Sequence, residues 1–411
     1  MSFDANTTGP LFGASWIRDS SNSRISFGRA AGAMLYDEAE RSYCDFVLGV
    51  GPVITSHTDR ELLDGVFRDL SNGVLFPGYQ KIHSDYAATL ESSQPGMAVG
   101  SFFKTSSEAV AGAIRCAELE TGKTGIIRCG FVGWHDDLIG GTPKWHEFPN
   151  CRLRYIARLG NIPTHRLAVN ALVPEYDLLR DLFEKHSDTA CAFVVDSFQF
   201  ALFGFSQFEE LRALADRFDI RIILDETKTS GRCGPGGAYG ALKADYLVLG
   251  KAIANGFPLS VLLGNRAVLG KLQSVGMKTG GTYSKEVVSV CAAAHLARLM
   301  SQRDGYNTLA AVGAKIANGI AGAIAAAGVG QYIEVVPHLG GRMFSFKFGD
   351  QVANDAEARD GLDRLFTAQR ILAFTDHPNF ICLAHADISL DDVLSRFSGA
   401  FLAWKDELSS G

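Results

Sequence analysis

The sequence has no block of one charge sign. Its 39 Lys and Arg are outnumbered by 45 Asp and Glu, for a formal net charge of −6, so there is no broad basic surface to hold a phosphate backbone. Nucleic acid is therefore not an expected partner. Cysteine is sparse. The eight residues Cys44, Cys116, Cys129, Cys151, Cys191, Cys233, Cys291 and Cys382 form no C-x-x-C pair, and no His cluster stands at metal-ligand spacing. A disulfide framework and a metal site are both excluded as organising elements, and the thiols read as reduced. The opening stretch MSFDANTTGPLFGAS lacks a basic segment followed by an apolar run, and no apolar run is read as long enough for a membrane span. A cytoplasmic protein with no membrane partner is the expectation. No G-x-G-x-x-G follows the first strand and no G-x-x-x-x-G-K-[ST] occurs, which argues against a nucleotide-binding or regulatory protein. Internal repeats and low-complexity linkers are also missing.

What remains is a chain of 411 residues, 47% hydrophobic and 20% charged, with apolar material for one large domain and a smaller one. The runs TGIIRCGF, HRLAVNAL, ACAFVVDSF, IRIILDE and DYLVLGK each read as a short buried strand, and their near-continuous hydrophobicity suits a parallel sheet covered on both faces. Between two of them, SQFEELRALADRFD places Phe208, Leu211, Leu214 and Phe218 on one helical face, with Ser206 and Glu209 as an expected capping box. Upstream, GAMLYDEAERSYCDFVLGVGP alternates around a polar turn at Asp37 to Glu40, as a hairpin would. The fold class is α/β: a mainly parallel sheet in a large domain (56–299), with a smaller α+β domain formed by an N-terminal segment (1–55) and a C-terminal one (300–411).

A doubly wound sheet binds its ligand at the carboxyl ends of its strands. Asp225 and Lys251 both stand at such ends, one crossover apart. A lysine amine can form a Schiff base with an aldehyde cofactor, and a carboxylate beside the cofactor's ring nitrogen keeps that nitrogen protonated. Pyridoxal phosphate needs both, and an anion site as well. Ser106 and Ser107 precede a helix with Glu108 in its first turn, where hydroxyls and free amides bind phosphate; an ordinary serine cap explains them equally. Thr282 in GGTYSKE is a second candidate phosphate contact, or a plain loop residue. Phe131 and Trp134 in GFVGWHDD are flat surfaces on which a pyridine ring could stack, or core packing. His135 reads as structural.

These segments together resemble the class III pyridoxal-phosphate aminotransferases, nearest to the glutamate-1-semialdehyde aminomutase branch. The family's D-E-V-x-T-G-F-R, G-G-A and G-K-x-[IL]-x-x-G-[FY]-P segments stand here as DETKTSGR, GGAYG and GKAIANGFP. Its N-S-G-[ST]-E-A, Y-H-G-W-H-D and G-T-x-S are KTSSEA, FVGWHD and GTYS, in the same order. Similarity extends to RAAGAMLYDEAERSYCDFV near one end and FICLAHADISLDDVLSRF near the other.

The resemblance implies a fold-type I enzyme. Lys251 would be the Schiff-base lysine and proton shuttle, and Asp225 the partner of the ring nitrogen. Thr227 would replace the valine under the ring, Phe131 would stack on it, and Ser106 and Ser107 would hold the phosphate. Thr282 would reach the phosphate of a neighbouring subunit, since the family builds its sites across a homodimer. Arg18 in SWIRD would meet a substrate carboxylate, Trp134 would line the substrate side, and Arg232 looks structural. Phe131 and Val132 replace Tyr and His, Lys285 and Glu286 replace Gly-Asn, and Asp196 stands in VVDSFQ where many relatives have Glu-Pro. The expected reaction moves an amino group from a donor, such as glutamate, to a ketone or aldehyde, such as a sugar or secondary-metabolite intermediate. An intramolecular aminomutase is the nearest alternative; racemisation or decarboxylation on the same scaffold follows it.

Overall fold

Ala190 to Asp196 are buried at every position, a pattern that only a strand covered on both faces produces. In the computed structural model, which describes residue 17, residues 25–133, residue 135 and residues 168–410, this strand lies near the middle of a seven-stranded sheet. Three strands precede that sheet: β1 (Phe27–Ala31), β2 (Met34–Asp37) and β3 (Ser42–Asp45). The sheet itself comprises β4 (Met97–Phe103), β5 (Gly125–Cys129), β6 (Ala168–Ala171), β7 (Ala190–Asp196), β8 (Arg221–Asp225), β9 (Tyr246–Leu249) and β10 (Ser260–Asn265). Its order is β4-β10-β9-β8-β7-β5-β6, and only β10 runs antiparallel to its neighbours. All five strands expected from the sequence are present. β4 and β10 were not anticipated, and they extend the sheet on one side.

Alternation along β7 divides the packing. Phe193 and Val195 join the cluster that holds Leu179, Phe183, Leu211 and Leu214. Ala192 and Val194 join the opposite cluster, under the helix Ser106–Thr121. The strand period of two thus loads helices on both faces of the sheet. The capping box expected at Ser206 does not form: the cap position of the helix Phe208–Arg217 falls one residue later, at Gln207, which makes no side-chain cap bond. The amide of Phe208 instead donates to the Ser206 carbonyl, so the chain turns before the helix begins.

Segments from both ends of the sequence meet in one small sheet. β11 (Ile333–His338), β12 (Met343–Phe348), β13 (Ile371–Leu372) and β14 (Asn379–Phe380) follow the large sheet. β13 pairs in parallel with β3, closing a four-stranded sheet from both ends of the sequence. β11, β12 and β14 form a second small sheet, under the helices Ala356–Ala368 and Leu390–Ser410. The cut at 299/300 falls inside the last turn of the helix Val288–Gln302. One expectation fails here: the helix Gly305–Ala327 is long and apolar enough to cross a membrane by length and composition. Its Leu309, Ile316, Ile320 and Ile324 pack into the core beside Phe344 and Phe397, which accounts for the apolarity of that face.

Candidate active site

Three strands deliver side chains to one crevice. Asp225 ends β8, Asp196 ends β7 in register with it, and Lys251 follows β9 by two residues. With Ser106, Ser107, Phe131 and Thr227 they line a cavity of about 320 Å³, within the size range of small-molecule sites. The strand-end rule thus brings together six of the residues singled out from the sequence. Arg18 and Trp134 lie outside the described residues. Thr282 is exposed in the turn Thr282–Lys285 and does not line this cavity.

The backbone at Lys251 is held in a left-handed conformation, with φ of 48°, which costs a non-glycine residue about 1 kcal/mol. Neighbouring bonds over-determine it. The Gly250 amide donates to Ser230 Oγ at 3.1 Å, and Ser230 Oγ donates to the Gly250 carbonyl at 2.9 Å. Downstream, Asn255 Oδ1 accepts from the amides of Ile54 (2.8 Å) and Thr55 (3.0 Å), tying the turn to the N-terminal segment. Gly250 is required by close approach: a Cβ there would collide with Ser106 Oγ. The helix start and the lysine turn are therefore packed against each other.

Ser106 and Ser107 are the first two residues of their helix and do not precede it. Thr105 is the cap, its Oγ1 accepting from the Glu108 amide at 3.4 Å while Glu108 Oε2 accepts from the Thr105 amide at 3.0 Å. With the cap bond made by Thr105, the two serines line the cavity in the first turn of the helix, the end where the macrodipole is positive. That is the arrangement an anion uses.

Asp225 is 5% exposed, and its Oδ1 accepts from the amide of Thr227 at 3.0 Å and from the Thr227 hydroxyl. Among the described residues Oδ2 accepts no further hydrogen bond, and it is the oxygen left for a ligand. Burial, and next the Asp196 carboxylate, push the Asp225 carboxyl up to about 6, against the pull of the Thr227 bonds. Burial, and next the Lys228 ammonium, push the Lys251 amine down to about 7, opposed by Asp196 and Asp225. An amine so depressed has a substantial neutral fraction near physiological pH, the form a nucleophile needs.

Two neighbours were not read as functional from the sequence. Lys228 donates to Asp196 Oδ2, both line the cavity, and both are nearly inaccessible. The same strand-end rule applied to ACAFVVD would have found Asp196; Lys228 carries no periodic signal. Glu226 anchors the glycine loop, its carboxylate accepting from the amides of Ala238 (2.5 Å) and Tyr239 (2.9 Å), and a Cβ on Gly237 would strike it. Arg232 is fully buried and structural, as expected: Nη2 donates to the Gly51 carbonyl at 2.6 Å and Nη1 to the Ile381 carbonyl at 3.2 Å, bridging both chain ends to the sheet.

Solved structures share this architecture. The chain superposes on an omega-transaminase from Sphaerobacter thermophilus with a TM-score of 0.80 and 21% identity, covering 96% of this chain and 94% of that one. On a glutamate-1-semialdehyde-aminomutase from Pseudomonas aeruginosa PAO1 the TM-score is 0.75, with 20% identity over 94% and 88%. The fold is that of the fold-type I, pyridoxal-phosphate-dependent transferases.

The sequence profile of the family Aminotransferase class-III matches residues 17–384, and the chain belongs to that family. It is a pyridoxal-phosphate-dependent enzyme that handles an amine donor and a carbonyl acceptor. Among curated relatives, it is 26% identical to a glutamate-1-semialdehyde 2,1-aminomutase of Dichelobacter nodosus, over 90% of both chains. It is 25% identical to a 2'-deamino-2'-hydroxyneamine transaminase of Streptomyces kanamyceticus, over 90% of this chain and 89% of the relative.

Proposed function

We propose that this chain is an aminotransferase that takes the amino group of a donor such as glutamate and delivers it to a ketone or aldehyde, with a sugar or secondary-metabolite carbonyl as the acceptor class. The observation that carries the site assignment is the convergence of Lys251, Asp225 and the serine-bearing helix start on one buried cavity. Pyridoxal phosphate, when bound, supplies an electron-poor ring that stabilises charge developing on the donor's α-carbon. The residues present fit it: Lys251 Nζ for the aldehyde, Asp225 Oδ2 for the ring nitrogen, the first-turn amides and hydroxyls of Ser106 and Ser107 for the phosphate, and Phe131 and Thr227 for the two faces of the ring.

Lys251 acts twice in this reading. Its neutral amine would hold the cofactor's aldehyde, and its Nζ would carry the proton at the substrate's reacting carbon. Asp225, itself buried, would hold the positive charge on the ring nitrogen, a fixed electrostatic role. Replacing Lys251 with Ala is expected to abolish both turnover and the visible absorption of the bound cofactor; activity retained at wild-type level would refute the assignment. Arg18 is proposed to meet a substrate carboxylate and Trp134 to line the acceptor side.

An intramolecular aminomutase is the second reading, favoured by the relatives of that name at comparable coverage. The two separate on one assay: an aminotransferase bleaches the bound cofactor with glutamate and turns over only with two substrates, whereas an aminomutase converts a single one.

Thr282 completes the reading through a second copy of the chain. Its turn is joined to residues 74–77, where the Val287 amide donates to the Val74 carbonyl at 2.9 Å and Lys285 Nζ to the Pro77 carbonyl at 3.0 Å. Val74, Leu75, Tyr79 and Tyr283 are exposed there, an apolar face that suits a homodimer in which Thr282 reaches the partner's phosphate. All the described cysteines but Cys233 are buried, which suits a reducing compartment such as the cytoplasm.

A further inference from the structure

Asp196 and Lys228 have no part in that chemistry, yet their side chains are only 2% and 4% exposed and both line the same cavity. Asp196 leaves β7 directly beside Asp225 on β8, so two acids stand side by side at neighbouring strand ends. Two ionised carboxylates at close quarters in a dry site repel, and one of them tends to take up a proton. Lys228 answers that repulsion. Its Nζ donates to Asp196 Oδ2, Asp196 Oδ1 accepts from the Phe198 amide at 3.1 Å, and the ammonium lies 5.6 Å from the centre of the Phe131 ring. The cation therefore contacts Asp196 and lies near the aromatic wall of the cavity.

We propose that Lys228 and Asp196 are a positioning pair that balances charge for the site: Lys228 cancels Asp196, so that Asp225 alone presents an uncompensated carboxylate to the ring nitrogen, and the pair together sets how readily the Lys251 nitrogen gives up its proton. This rests on the reading that Lys251 and Asp225 hold pyridoxal phosphate. The charged and titratable groups facing Lys251 come from four places: Asp196 at the end of β7, Asp225 at the end of β8, Lys228 and Arg232 in the loop that follows, and His377 in the stretch before β14. Only Lys228 and Asp196 form an ion pair with each other within that set.

The signs separate this role from simple packing. Lys228→Met removes a cation and uncovers an anion, and both changes favour the protonated form of the Lys251 nitrogen. Asp196→Asn removes an anion and uncovers a cation, and both changes favour the neutral form. Together the substitutions remove one charge of each sign and largely cancel. A residue that only supported the fold would not move the same proton in opposite directions.

The test is a spectrophotometric pH titration of the full-length holoenzyme, reconstituted with pyridoxal phosphate, for the wild type, Lys228→Met, Asp196→Asn and the double variant. The midpoint of the visible band is expected to rise by about one pH unit in Lys228→Met, to fall by a comparable amount in Asp196→Asn, and to return to within about half a unit of wild type in the double variant. Lys228→Arg, which keeps the charge, should hold the wild-type midpoint, and Lys228→Gln serves as the neutral variant should Lys228→Met not fold. Coincident midpoints in all four proteins, or single variants shifting in the same direction, overturn the pair while leaving the cofactor assignment intact. A wild-type protein with no visible band that borohydride bleaches overturns the cofactor reading, and the pair falls with it.

Discussion

Removing the Lys251 amine should make the cofactor-free protein more stable, and the gain should depend on pH in a direction the site dictates. Burial and the Lys228 charge lower this amine from 10.5 to about 7, a difference equivalent to about 5 kcal/mol if the amine were wholly cut off from water. That value already includes the opposing Asp196 and Asp225 charges, and solvent screening at the partly exposed Lys251 reduces the realised cost to about 1–3 kcal/mol. The folded-state value lies below the unfolded one, so the cost is present in full below about pH 7, where both states carry the proton. It declines between about 7 and 10.5, where the unfolded chain binds a proton that the folded one does not.

Lys251→Met should therefore outlast the wild type in urea at about pH 6, with the gap closing as the pH approaches about 10. Lys251→Gly adds a second contribution, because it also relieves the left-handed backbone at φ of 48°, and that part, about 1 kcal/mol, should be independent of pH. The measurement is urea unfolding of the cofactor-free proteins, by fluorescence, at three pH values. A Lys251→Met gap that is flat with pH, or that widens toward alkaline pH, would refute the claim that the amine is strained by burial.

Asp225→Asn should leave cofactor capture by Lys251 in place but lower kcat by about a hundredfold or more, through loss of the charge that holds the ring nitrogen protonated; steady-state kinetics checks this. Gly250→Ala should weaken cofactor affinity and destabilise the protein by about 1–3 kcal/mol, because the new methyl meets Ser106 Oγ while the backbone itself is extended and accepts any residue; a fluorescence titration with pyridoxal phosphate reads the first effect. Arg232→Ala should cost about 3–5 kcal/mol, since it strips buried donors from the carbonyls of Gly51 and Ile381, with thermal unfolding as the measure. Thr282→Val should weaken cofactor binding only in the dimer, which analytical ultracentrifugation combined with the same titration separates.

Much of the site was legible because its two central groups follow strand ends, and buried parallel strands announce themselves by unbroken runs of apolar residues. IRIILD and DYLVLG are such runs, and Asp225 and Lys251 are where they stop. The same signal did not reveal β4 or β10. In β4, MAVGSFF, a glycine interrupts the run, and β10 begins directly behind the Lys251 turn with no helix between to mark it. Helix starts were misplaced, by one residue at Ser206 and by two at Ser106 and Ser107, since several neighbouring side chains can cap and tertiary contact selects among them. The apolar helix Gly305–Ala327 shows the same limit: composition alone does not distinguish a core helix from a membrane span.

By itself the sequence determined the alternation of strands and helices, the family motifs and their order, and therefore the chemistry of a lysine and an acid brought to a common edge. These are local properties, set by the period of hydrophobicity and by which residue follows each strand. Only the tertiary structure decided that Asp196 stands in register with Asp225, that Lys228 turns back to neutralise it, and that Thr105 rather than a serine caps the helix. Those outcomes depend on which strands become neighbours and on how far each group is removed from water, and neither quantity is written in any single stretch of the chain.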